Sequence, residues 1–85
     1  MAQLTAALVR EQGVTFAVAM MKDHVLNDPN LSSQMIRSVG AALGCSLVVL
    51  MGERNRRLRG NRNDVVQFVS RTDPARLPWR KWSVN

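Results

Sequence analysis

Tyrosine is absent from this 85-residue chain, and cysteine and histidine occur once each, as Cys45 and His24. A lone cysteine forms no internal disulfide, and no CxxC or mixed His/Cys spacing offers a metal cage. A Ser-His-Asp arrangement would have to be built on His24, and a loop histidine of this kind is ordinarily structural or solvent-exposed. With only two Phe and two Trp, the strands carry no aromatic pair of the type RRM domains use to stack bases. Gly52 and Gly60 stand eight positions apart without the lysine of a phosphate-binding loop, so no P-loop forms. No apolar run approaches the roughly 20 residues that cross a bilayer. The N-terminus shows no basic leader followed by a long apolar segment, so the expected setting is cytoplasmic, with no membrane partner. Neither a cofactor nor a resident metal is expected.

What is present is an ordinary globular composition, 46% apolar and 21% charged, with an uneven placement of charge. Residues 1–51 hold three basic residues (Arg10, Lys22, Arg37) and three acids (Glu11, Asp23, Asp28), which cancel. Residues 52–85 hold nine basic residues and three acids (Glu53, Asp64, Asp73), so the whole net charge of +6 lies there. Five arginines, Arg54, Arg56, Arg57, Arg59 and Arg62, fall within "GERNRRLRGNR", residues 52–62. Ten of the twelve basic residues are arginine. Its planar fork suits phosphates, carboxylates and aromatic faces better than the point charge of lysine.

Along the chain, residues 2–12 place Leu4, Ala7, Leu8 and Glu11 at helical spacing before Gly13, which predicts a leading amphipathic helix. Residues 14–22, "VTFAVAMMK", carry Val14, Phe16, Val18 and Met20 on one face and Thr15, Ala17, Ala19 and Met21 on the other. This pattern predicts a strand covered on both sides, with alanines that let a helix approach closely. "NDPNLSSQMIRSVGAALG" reads as cap, helix and stop: Asp28 as N-cap, Pro29 at the first helical position and Gly44 at the left-handed end. Its buried stripe is Leu31, Met35, Ile36, Val39 and Leu43. Residues 45–51, "CSLVVLM", give a second doubly buried strand, parallel to the first because a helix joins them. Cys45 at its start is expected to be buried and inert. Gly52 then opens a polar hairpin whose return arm, about residues 56–60, lies on a sheet edge, where charge also discourages edge-to-edge pairing. Asn63 and Asp64 are expected to cap and charge the start of a third helix that buries Val65, Val66, Phe68 and Val69. Asp73-Pro74 ends it, and residues 80–84 form a last strand.

The expectation is one α/β domain over residues 1–85, a leading helix at 1–12 and a core at 14–84, with elements in the order α-β-α-β-β-α-β. The sheet is expected to be mixed, with about four strands in the order 3-2-1-4, counting from the strand at residue 14. Without the first helix the order is βαββαβ, that of a ferredoxin-like fold, which stands as the alternative. That fold centres its third strand, here the arginine-rich one. "FAVAMMKDHVL", "VVLM", the Gly60-x-Arg62-x-Asp64-Val65-Val66-x-Phe68-Val69 run and "LPWRKWSV" together resemble a group of small uncharacterised bacterial α/β proteins, over residues 16–84. Those proteins carry a Tyr or another aromatic just before the Gly60 position, where this chain has Leu58 and Arg59. The resemblance implies a fold and no activity.

Three functions are weighed. In the first, Arg54, Arg56, Arg57, Arg59 and Arg62 contact successive phosphates of a nucleic acid, or an acidic protein, without reading bases. Arg80, Lys81 and Trp82 join them, since an aromatic beside basic residues can stack an unpaired base; Trp79 is expected to close the core instead. In the second, the arginines keep a charged edge soluble and the chain serves as a homodimeric interaction or structural subunit. In the third, Asp23 and Glu53, at the carboxyl ends of adjacent parallel strands, hold Mg²⁺ for phosphodiester cleavage. Against it, the position two residues beyond Glu53 is Asn55 and not a lysine.

Overall fold

The computed structural model describes residues 2–11 and 13–84. Its elements are β1 (Ala2–Glu11), β2 (Val14–Met21), α1 (Asp23–Asn27), α2 (Pro29–Leu43), β3 (Val48–Gly52), β4 (Leu58–Gly60), α3 (Asn63–Ser70), a 3₁₀ turn (Pro74–Arg76) and β5 (Trp79–Val84). The five strands form one mixed sheet in the order β4-β3-β2-β1-β5. β2 and β3 are parallel, and every other neighbouring pair is antiparallel.

The predicted leading helix is the main correction. Residues 2–11 are a strand, not a helix, and Gln12 lies outside the described residues. Leu4, Ala7, Leu8 and Glu11 fit a helical period, but Leu4 and Ala6 join one core while Ala7 and Val9 join the other, which is the period of a doubly covered strand. Gly13 has φ +78°, a left-handed value. It stands between paired residues Glu11 and Val14 and turns the chain back on itself instead of merely ending a helix. Inserting β1 between β2 and β5 corrects the expected four-strand order 3-2-1-4 to five strands. The expected strands keep their relative sequence otherwise, with the arginine-bearing β4 at an edge. The ferredoxin-like alternative, which needs that strand in the centre, is overturned.

The sheet separates two cores. On the α1/α2 side, Ala17 and Ala19 of β2 and Val48 and Leu50 of β3 meet Val25, Leu26, Val39 and Leu43. Alanines under α2 bring that helix close, as their size suggests. Asp28 caps α2 by accepting from the amides of Asn30 (3.0 Å) and Leu31 (3.2 Å), Pro29 opens it, and Gly44 closes it at φ +66°. Buried Ser32 donates its hydroxyl to the Val25 carbonyl at 2.6 Å, tying α2 to α1. On the other side, Phe16, Val18, Val49 and Met51 meet Val65 and Val69 of α3 and Leu77. Val48, Val49 and Leu50 are at most 1% exposed, which is why "SLVVLM" does not alternate.

Local details depart from expectation in several places. Leu31, Met35 and Ile36 of the expected α2 stripe, and Val66 of α3, are half-buried instead of buried. α3 begins at Asn63 with Arg62 as its N-cap, and no side chain caps it. Phe68 is 38% exposed, with its ring set edge-on to Phe16 at 5.7 Å instead of buried. Cys45 is half-buried, its single S–H within reach of the carbonyls of Thr15 (3.3 Å) and Leu47 (3.2 Å). Among the described residues, no helix is long and apolar enough to cross a membrane.

Candidate functional site

The arginine stretch is the turn between β3 and β4, and its backbone is tied down from several directions. The Gly52 amide donates to the Arg57 carbonyl at 2.8 Å, closing the hairpin. The Glu53 amide donates to the Met21 carbonyl at 2.9 Å, joining the turn to the end of β2. Asp23 accepts from the Arg54 amide at 3.3 Å through one carboxylate oxygen, and Asn55 accepts from the Arg57 amide at 3.3 Å. Arg56 sits at φ +57°, a left-handed conformation that a side chain adopts only at some cost. Gly52 has no room for a side chain: a Cβ there would stand 2.6 Å from Asp23 Oδ1 and 2.7 Å from Asn55 Oδ1.

All five guanidinium groups are exposed. Arg62 pairs with Asp64 at 2.8 Å, and this is the one ion pair among the described residues. Arg57 donates to the side-chain oxygen of Asn27 at the end of α1. Arg57 and Arg59 line a hollow of about 240 Å³ with Leu26 and Leu58, while Arg54 lines a cleft of about 360 Å³ with Lys22, Asp23 and Glu53. Exposed guanidinium forks of this kind can donate in pairs to phosphate or carboxylate oxygens.

Arg80 and Trp82 are not brought to this place, and Lys81 meets it only at a cleft it shares with Glu53. All three lie on β5, at the other edge of the sheet. Arg59, Leu50, Ala19, Ala6 and Arg80 form one cross-strand row. Arg59 and Arg80 are therefore four strand steps apart, about 19 Å at the usual inter-strand spacing. Lys81 points to the α3 side of the sheet with Thr5, and it lines an open cleft of about 400 Å³ that also reaches Lys22 and Glu53. The indole N–H of Trp82 donates to the Ala6 carbonyl at 3.2 Å, and the Arg80 guanidinium lies 6.0 Å from its ring. Trp79 is half-buried against the α3-side core and donates to the Pro74 carbonyl at 2.7 Å, as a core-closing tryptophan should.

Asp23 and Glu53 do share a cleft at the carboxyl ends of β2 and β3. One oxygen of Asp23 is occupied by the hairpin backbone, and no group of three His, Cys, Asp or Glu side chains placed to hold a metal ion occurs among the described residues. His24 is exposed on α1.

Sequence reasoning missed the side chains that hold the hairpin in place. The sequence does not single out Asn27, and it brings in Asp23 only through the third, metal-dependent reading; both brace the arginine turn. Asn61 was also passed over. Its side chain accepts from the Val48 amide at 3.1 Å and donates to the Ser46 carbonyl at 2.7 Å, fixing the entry to β3 beside β4. Asn and Asp in turns are the available signal, since their short side chains bond to nearby backbone, but the signal does not name a partner some thirty residues away.

Fold and site together define the class: a small α/β protein with a mixed five-stranded sheet and a braced, arginine-rich hairpin at one edge. No protein-family model, curated protein or solved structure matches the chain.

Proposed function

We propose that the chain is a non-enzymatic binding module whose β3–β4 hairpin grips a nucleic acid through its phosphates. The observation that carries this reading is the lack of carboxylate partners. Arg54, Arg56, Arg57 and Arg59 are exposed and make no ion pair among the described residues, with Arg57 bonding only to the side-chain oxygen of Asn27. They stand on a turn and short strand in which the Gly52, Glu53, Arg54 and Arg57 amides are already engaged. Cations held for folding would be expected to pair with carboxylates; these four do not. A braced turn also lowers the entropy lost when its side chains engage a ligand. No base-reading geometry accompanies the arginines, so the expected binding is insensitive to sequence.

Arg62 belongs to Asp64 and does not count among the free cations. Four phosphate contacts give a log–log salt slope of at most about −2.8 for single strands and about −3.6 for duplex DNA. The test is fluorescence anisotropy of labelled mixed-sequence oligonucleotides titrated at several salt concentrations. A slope within these bounds, similar across sequences, supports the reading. Failure of the wild-type chain to bind any oligonucleotide at low salt overturns it and returns the hairpin to a charged, self-protecting edge.

A further inference from the structure

The second edge of the sheet carries a different partner chemistry. β5 runs for six residues, Trp79–Val84, with β1 on one side and no strand on the other among the described residues. The Trp79 amide donates to the Leu77 carbonyl at 2.9 Å, and the outer main-chain amides and carbonyls beyond it have no ladder partner there. Edges of this length are templates for strand addition, in which main-chain bonds supply affinity and alternate side chains supply specificity.

The register fixes which side chains an added strand would meet. Trp82 and Arg80 share the α1/α2 face with Leu4 and Ala6, and Lys81 and Trp79 share the α3 face with Thr5 and Ala7. Cross-strand partners point to the same face, and opposite charges directly across a ladder attract while like charges repel. An added strand would thus set one acidic residue against Arg80 on one face and the next against Lys81 on the other. Apolar residues would flank them, beside the half-buried rings of Trp79 and Trp82. Since the order Trp-Arg-Lys-Trp is symmetric in kind, the same apolar-acidic-acidic-apolar pattern serves a strand of either direction.

We infer that β5 is a docking edge for an extended peptide segment of the form apolar-acidic-acidic-apolar, which it takes as a sixth strand. This inference stands independently of the hairpin reading. A second copy paired through the middle of β5 is a poor occupant. Antiparallel pairing of β5 with itself, centred on Arg80, on Lys81 or between them, sets a basic residue against a basic residue. Nor does another segment of this chain fit, because its six acids, at positions 11, 23, 28, 53, 64 and 73, are never adjacent.

Both tryptophans of the chain lie on β5, so intrinsic emission reports this edge directly. The probe is an acetylated and amidated peptide, Thr-Val-Glu-Glu-Val-Thr, compared with its Lys-Lys counterpart and with forms N-methylated on alternate amides. A saturable emission change is expected with the acidic peptide. It should weaken about tenfold or more when both charge pairs become like-charged, and be lost in whichever N-methylated form blocks the inward-facing amides. In the folded variant Arg80→Glu/Lys81→Glu the preference should invert toward the Lys-Lys peptide. Binding indifferent to both N-methylated forms, or an unchanged preference in the charge-reversed variant, would overturn the inference. So would tighter binding of an oligonucleotide at the same tryptophans that the charge-reversed variant abolishes, since it would make β5 a nucleic-acid edge.

Discussion

The two edges of this sheet are both basic, yet their backbones offer different things. β4 is three residues long and follows a turn whose amides are already engaged by Arg57, Met21, Asp23 and Asn55, so its open edge offers an added strand few main-chain groups. β5 is six residues long, with two tryptophans around its basic pair and an outer ladder left open. Arginine in the first setting can act only as a cation. In the second, Arg80 and Lys81 sit beside unpaired main-chain groups, and the charge can select which strand is added. The same residue type therefore carries two chemistries, separated by three strands of neutral core.

The largest expected effect removes the comparison altogether. Leu50 lies fully buried in the row that joins Arg59 to Arg80. Leu50→Ala should lower unfolding stability by about 2–5 kcal/mol. Urea transitions followed by tryptophan emission and by far-ultraviolet circular dichroism should move together, because both edges hang on one sheet. Separate transitions would mean the edges fold independently.

Gly60→Ala sharpens the comparison from the β4 side. Its Cβ would stand 2.6 Å from Val66 Cγ2 and 3.0 Å from the Val48 carbonyl, squeezing α3 against the strand. A loss of about 1–3 kcal/mol in urea unfolding is expected. At a denaturant concentration where both proteins stay folded, oligonucleotide binding should fall while the tryptophan response to the acidic peptide persists.

Ser32→Ala is expected to cost about 0.5–1.5 kcal/mol, since the Val25 carbonyl would lose the hydroxyl and keep only the Asp28 amide. α1, which carries Asn27 against Arg57, would loosen with it. Hydrogen exchange should then rise in residues 23–28 and 53–57 and stay unchanged in β5. The smallest effect belongs to the exposed β5 cations: Arg80→Ala/Lys81→Ala should change stability by no more than about 0.5 kcal/mol per site. A larger loss would show that they hold the fold instead of facing a partner.

Much of this architecture is legible in the sequence. The parallel β2–β3 pair follows from two non-alternating apolar runs joined by a capped helix, and the edge position of β4 follows from a strand whose only apolar side chain is Leu58. β1 was not legible, because alanine and leucine at positions 4, 7 and 8 satisfy a helical period as well as a strand period, and only pairing on both sides decides between them. For the same reason the site was seen as one basic surface. Arg57 and Arg80 look alike in a list of charges, and their separation depends on β1 standing between β2 and β5. The braces of the hairpin, Asn27 and Asp23, act across about thirty residues, a distance that no local pattern spans.

The central claim is that the two basic edges do different work. It is tested most directly by oligonucleotide binding against salt for three folded proteins: wild type, Arg54→Ala/Arg56→Ala/Arg59→Ala, and Arg80→Ala/Lys81→Ala. The hairpin variant should lose up to about 2.1 of the single-strand slope, three contacts at about 0.7 each, while the β5 variant keeps the wild-type slope. Equal losses in both variants, or a loss confined to the β5 variant, would contradict the division of the edges.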